Sequence, residues 1–165
     1  MGNEFASYTP APSLSNDHSS QAEPHSQNGW MSSLPKDAVV LVIEDNVSNF
    51  VLIARMLGYM GIHCEWKTSG YEVVEYADTL PRLDLILLDI RLPYEDGFSA
   101  LKKIRASSRI KNTLVIAVTA DASMEQLKRA QEAGFDGFLG KPLDPDRFPE
   151  QVRHILAREP VWDLC

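Results

Sequence analysis

From Ala38 onward, apolar runs of strand length alternate with stretches of helical spacing. Residues 39–43 form a continuous apolar run that stops at Glu44-Asp45, and residues 83–88, apolar but for Asp84, form another run that stops at Asp89. Such runs are typical of strands buried on both faces, and hence of a parallel sheet. Between them the spacing predicts a helix over residues 47–60, ended by Gly61, and a more exposed strand over residues 62–67. Ser69 offers a cap for a second helix to about Leu80, with Pro81 just beyond its end. Phe98, Leu101 and Ile104 space out a third helix, and residues 114–118 make a fourth strand that ends at Thr119. Met124, Leu127, Ala130 and Ala133 line up as the buried stripe of a fourth helix closed by Gly134. Residues 135–139 make a short fifth strand ahead of Gly140-Lys141-Pro142. Phe148, Val152, Ile155 and Leu156 place a last helix that runs to about Arg158. This alternation predicts an α/β fold: a doubly wound, five-stranded parallel sheet with five helices and right-handed crossovers.

The pattern also divides the chain. Residues 1–36 are rich in Ser, Pro, Asn and Gln and carry no Lys or Arg before Lys36. Such a segment buries too little apolar surface to offset its ordering entropy, so it is expected to be a disordered tail. Residues 37–159 make up the folded domain, and residues 160–165 are expected to be a C-terminal tail. A hydrophobic fraction of 44% supports a real core in this 165-residue chain. The formal charge of −7 argues against nucleic-acid binding, which needs a clustered basic surface. Cys64 and Cys165 show neither metal spacing nor a disulfide framework, which suits a reducing cytoplasm. No apolar stretch is long enough to span a membrane, and no secretory signal is visible. Ala6 stands where a myristoylation signal after Gly2 needs Ser or Thr.

The candidate chemistry lies at the carboxyl ends of the strands. Glu44 and Asp45 follow the first, Asp89 the third, Thr119 the fourth and Lys141 the fifth. Open α/β sheets bind ligands outside those ends, near the topological switch point, so these residues are expected to converge on one pocket. Three carboxylates in one pocket repel one another unless a cation sits among them. Oxygen donors of this kind, completed by a substrate phosphate and water, suit Mg²⁺. A divalent ion beside Asp89 would neutralise an incoming phosphoryl group and let the carboxylate attack phosphorus. Lys141 and Thr119 would bind its oxygens, giving covalent catalysis through an acyl phosphate.

Taken in order, Glu44-Asp45, Asp89 with Pro93 and Gly97, Thr119-Ala120 and Lys141-Pro142 resemble the receiver domain of two-component response regulators. The resemblance covers roughly residues 38–158, and with no output domain following it is to single-domain regulators of the CheY and DivK type. It implies the strand order 2-1-3-4-5. It also implies that Asp89 is the phosphoacceptor and that Mg²⁺ is held by Glu44, Asp45, Asp89 and the backbone carbonyl of Arg91. Thr119 and Phe138 would be the switch pair, Lys141 the phosphate-sensing lysine, and the Lys141-Pro142 bond cis. The implied donor is a histidine kinase or a histidine phosphotransfer protein. Phosphorylation would alter the face of the fourth helix, fifth strand and fifth helix toward a downstream protein target. The protein is expected to be cytoplasmic and a monomer or weak dimer, and to catalyse only its own phosphorylation and dephosphorylation. An aspartate-nucleophile phosphatase usually has a second Asp two residues after the first, where Arg91 stands here. A non-phosphorylated interaction scaffold would be expected to have lost the acids or the lysine, and all are present.

Some features are this chain's own. In the first helix Leu52, Ile53, Met56, Leu57 and Met60 form a stripe that the receiver resemblance assigns to the core. Val47, Phe50, Val51 and Ala54 form a second apolar stripe beside the expected site. This second stripe is expected to dock the four-helix bundle of the kinase or phosphotransfer partner, unless neighbouring loops cover it. Arg91 and Asp121 each fall two residues past a strand end and are expected to pair across the pocket mouth. Asp144 and Pro145 offer a cap and first position for the last helix. Pro149 one turn later would then make that turn irregular or move the helix start toward itself.

Overall fold

The computed structural model describes residues 34–165, so most of the expected N-terminal tail lies outside the described residues. Its elements, in chain order, are β1 (Val39–Ile43), α1 (Val47–Tyr59), β2 (His63–Lys67), α2 (Val73–Thr79), β3 (Leu85–Asp89), α3 (Gly97–Ala106), β4 (Leu114–Thr119), α4 (Met124–Ala133), β5 (Gly137–Gly140), α5 (Phe148–Leu156) and β6 (Val161–Asp163). The strands form one sheet in the order β2-β1-β3-β4-β5-β6, and every neighbouring pair is parallel. The expected order of the first five strands and the five helices are thus present. The sheet, however, has a sixth strand where the sequence suggested only a tail.

Successive strand residues face opposite sides of the sheet, and the core is correspondingly double. Val40, Val42, Leu85 and Leu87 pack with Ile53 and Leu57 of α1 and with Phe148 and Val152 of α5. Leu41, Ile43, Ile86 and Leu88 pack on the other side with residues of α2, α3 and α4, among them Val73, Leu101 and Leu127. All five residues of β3 are buried, as a central strand covered by helices on both faces requires. Among the described residues, no helix is long and apolar enough to cross a membrane.

Several local expectations change. α2 begins at Val73 rather than at a Ser69 cap, behind Glu72 with φ 58° and no side-chain cap. In α4 only Leu127 and Ala130 are buried, whereas Met124 is 56% exposed and Ala133 lies on the open side. α5 starts at Phe148, which places Pro149 in the first turn, where a missing N–H costs no helical bond. Asp144 does not cap that helix. Its side chain accepts from the Asp146 N–H at 2.9 Å, and its carbonyl from the Phe148 N–H at 2.9 Å, so it forms the turn that leads in.

Candidate functional site

β1 and β3 are neighbours and the windings to their left and right diverge, so a crevice opens beyond their carboxyl ends. Glu44 is the first residue past β1. It is charged, yet only 2% exposed. Its carboxylate accepts from the Asn46 N–H at 2.9 Å and from the Lys141 ammonium. The Asn46 side chain in turn accepts from the Asn49 N–H at 3.0 Å and caps α1, so the start of that helix and the first acid are fixed together. Asp45, between them, is exposed.

Asp89 ends β3 and is 6% exposed. One carboxylate oxygen accepts from the Arg91 N–H at 2.8 Å and the other from Lys141 Nζ at 2.7 Å. The turn that follows closes on Gly97, whose N–H donates to the Ile90 carbonyl at 2.9 Å. A side chain at Gly97 would stand 2.7 Å from the Asp89 carbonyl oxygen, so only glycine lets α3 begin this close to the site.

Thr119 ends β4 fully buried. Its hydroxyl oxygen accepts from the Asp121 N–H at 3.1 Å, and its carbonyl from the Lys141 N–H at 2.8 Å. Lys141 is thus held to the site by its backbone as well as by its ammonium group. The Lys141-Pro142 bond is cis. Phe138, in register with Ala117 of β4, is fully buried among the α2, α3 and α4 side of the core.

Glu44, Asp45 and Asp89 each offer a carboxylate oxygen, and these oxygens lie within 4.8 Å of one another. An all-oxygen cluster open on the Asp45 side fits a hard divalent cation that keeps part of its water shell. Burial pushes the Asp89 carboxyl above its ordinary pKa, with the Glu44 charge acting the same way and the Lys141 and Arg91 hydrogen bonds opposing. Burial also works against the Lys141 ammonium, but its hydrogen bonds to Asp89 and Glu44 outweigh this and raise its pKa. The site therefore holds a fixed positive charge between two nearly buried carboxylates.

Arg91 and Asp121 pair as the sequence suggested, at 3.1 Å, with side chains 69% and 33% exposed. A hydrogen bond from Ser123, with further ones from Gln126 and Arg91, holds the Asp121 carboxyl below its ordinary pKa.

The second stripe of α1 is only partly open. Val47 and Val51 are 59% and 40% exposed, whereas Phe50 and Ala54 are half-buried. The cover over Phe50 is not a loop but Trp66 of β2, stacked on it with ring centroids 4.2 Å apart. Trp66 also donates its indole N–H to the Glu44 carbonyl at 2.8 Å, which ties this aromatic pair to the site. No local pattern in the sequence marks that role, because the stack forms only once β2 lies beside β1. Leu52, assigned to the core by the family resemblance, is 37% exposed and extends the open patch toward Pro142 and Leu143.

Residues 40–153 match the response regulator receiver domain family. Among curated proteins, the chain is similar to the signal transduction histidine-protein kinase BarA of Escherichia coli (strain K12). The two are 39% identical over 119 residues, which make up 72% of this chain but only 12% of that kinase. It is also similar to the polar-differentiation response regulator DivK of Brucella anthropi, 31% identical over 124 residues that cover 75% of this chain and 98% of that regulator. Among solved structures, the receiver domain of the sensor histidine kinase PA1611 from Pseudomonas aeruginosa superposes with a TM-score of 0.65 at 31% identity. The match covers 73% of this chain and 97% of that one, and that domain has a magnesium ion coordinated in its active-site cleft.

Proposed function

The chain belongs to the response regulator receiver domain family, and from that premise we propose that it is a phosphorylation-dependent switch whose acceptor is Asp89. Receiver domains are signalling switches rather than enzymes that turn over a separate substrate. The observation that carries the proposal is the Lys141 ammonium lying against both Asp89 and Glu44 in a crevice that also holds Asp45 and Thr119.

In this reading an Asp89 oxygen attacks the phosphorus of a phosphohistidine. A P–O bond forms, the P–N bond breaks, and the electron pair leaves with the imidazole. Glu44, Asp45, Asp89 and the Arg91 carbonyl would hold a Mg²⁺, which would supply positive charge against the transferring group. Lys141 exchanges part of its hold on the carboxylates for the new phosphoryl oxygens, and the Thr119 hydroxyl donates to one of them. Phe138, next to both through β4 and β5, responds to that shift as the second member of the switch pair. The equilibrium moves only by as much as the phosphoryl group binds the two arrangements differently. The donor is a histidine kinase or histidine phosphotransfer protein, the output a downstream protein, and the setting the cytoplasm.

Incubation with acetyl phosphate and Mg²⁺ followed by intact-mass measurement tests this. A single phosphoryl adduct that requires Mg²⁺ is expected. No adduct under any metal condition would leave the site to a non-phosphorylated scaffold.

We assign the donor's docking surface to α1, with Val47 and Val51 its open part and Phe50 and Ala54 its packed base. Changing Val47 and Val51 together to Ser should slow transfer from a phosphohistidine protein about tenfold, the equivalent of ~1.4 kcal/mol. Labelling by acetyl phosphate should not change, because that small donor needs no docking surface. Equal rates from the protein donor would remove the assignment.

We infer that the exposed Arg91–Asp121 pair restricts the approach of a hydrolytic water to the acyl phosphate. An exposed pair is worth at most about 1 kcal/mol, so Arg91→Ala should speed autodephosphorylation by no more than roughly fivefold. Decay at the parent rate would show that the pair does not screen the bond.

A further inference from the structure

β6 lies beyond residues 40–153, the stretch that matches the family, and its place in the sheet is built into this chain. It pairs with β5 in parallel register, with Phe138 opposite Trp162. β5 is made to receive a backbone at this edge. A side chain at Gly137 would stand 2.6 Å from the Val161 carbonyl oxygen, and one at Gly140 would stand 2.5 Å from that of Leu164. The strand is fastened at its end. The Asp163 carboxylate accepts from Arg147 just ahead of α5, from Gln151 of α5 at 2.6 Å and from the Cys165 N–H at 3.1 Å.

The attachment is nonetheless slight. All three residues are only half-buried. A cavity of about 300 Å³ lies between the strand, β5 and the start of α5. Short edge strands with few buried contacts belong to the part of a fold that opens at low cost. Two contacts connect this loosely held strand to the site. The Cys165 thiol lies 3.4 Å from the carbonyl oxygen of Lys141, whose ammonium holds Asp89 and Glu44. Trp162 packs on the cluster that contains Phe138.

We propose that β6 is a releasable strap over the β5 edge, coupled through Lys141 and Phe138 to whether the Asp89 site carries a phosphoryl group. The coupling rests on the phosphoacceptor reading above. Lys141 is fixed through its N–H to Thr119 and through its carbonyl to Cys165, so drawing it toward a phosphoryl group disturbs the end of the strap. A shift of Phe138 changes the cluster on which Trp162 packs. Occupation of the site therefore loosens β6, and by linkage a loosened β6 favours occupation.

Hydrogen exchange on the full chain tests this with beryllofluoride and Mg²⁺ as the phosphoryl analogue and Mg²⁺ alone as reference. Amides 161–164 should exchange at least about tenfold faster with the analogue, while β1 and β3 keep their protection. Asp163→Ala should loosen the same amides without analogue and should also bind beryllofluoride more tightly. If acetyl phosphate labels Asp89 and the protection of 161–164 does not respond to the analogue, the strap is wrong and the phosphoacceptor reading stands. If no adduct forms, the phosphoacceptor reading fails and takes the coupling with it. Parent-like protection in Asp163→Ala would overturn the latch.

Discussion

Asp89→Asn is expected to abolish the phosphoryl adduct altogether while leaving the fold intact. The amide has nearly the shape of the carboxylate and keeps an oxygen to accept from the Arg91 N–H, so the turn toward Gly97 has no reason to move. What it loses is the anionic oxygen that attacks phosphorus, and no neighbouring acid is placed to substitute. Glu44 is 2% exposed and committed to Asn46 and Lys141, while Asp45 lies on the open side of the crevice. The measurement is intact mass after acetyl phosphate and Mg²⁺, with the thermal midpoint of the variant as the control for folding. An undiminished adduct on folded Asp89→Asn would move the acceptor elsewhere. A residual slow adduct that disappears in Asp45→Asn would identify Asp45 as that acceptor.

The contrast between what the sequence disclosed and what it did not has a physical basis. Glu44, Asp89, Thr119 and Lys141 were legible because each interrupts or follows an apolar run at the same end of its strand, and the alternation of elements implied that those ends share one edge. Their convergence needed no long-range information beyond the topology. β6 was not legible because Val161-Trp162-Asp163 is too short to show a period, and its support comes from Gly137, Gly140 and Arg147. The Phe50–Trp66 stack was hidden for the same reason, since its partners lie on α1 and β2. Helical spacing placed Met124 and Ala133 in the core and the family resemblance placed Leu52 there, but a stripe says which side of a helix faces inward and not how far along it the neighbours extend. α2 begins late because residues 69–72 are occupied in a turn packed on α3, where a side chain at Gly70 would stand 2.8 Å from the Ala100 Cβ.

Lys141→Met is expected to have the second large effect, on both chemistry and stability, and Mg²⁺ should separate the two. The ammonium lies against Glu44 and Asp89, whose side chains are 2% and 7% exposed. Removing it leaves two nearly buried carboxylates facing each other without a cation, a change that typically costs about 3 kcal/mol. Uptake of a proton by one carboxyl limits that cost. In urea unfolding without metal the variant should therefore be less stable by up to this amount. Mg²⁺ restores a positive charge among the same oxygens, so it should stabilise the variant more than the parent. A ligand at a hundredfold excess over its dissociation constant contributes about 2.7 kcal/mol. Chemistry should not recover to the same extent, because the cation does not replace the group that pairs with the phosphoryl oxygens as they gain charge. Loss of one such donor slows acyl or phosphoryl transfer by about 10²-fold. A variant as stable as the parent without Mg²⁺ would mean that the ammonium contributes nothing net to holding the two acids. A variant labelled at the parent rate would remove Lys141 from the reaction.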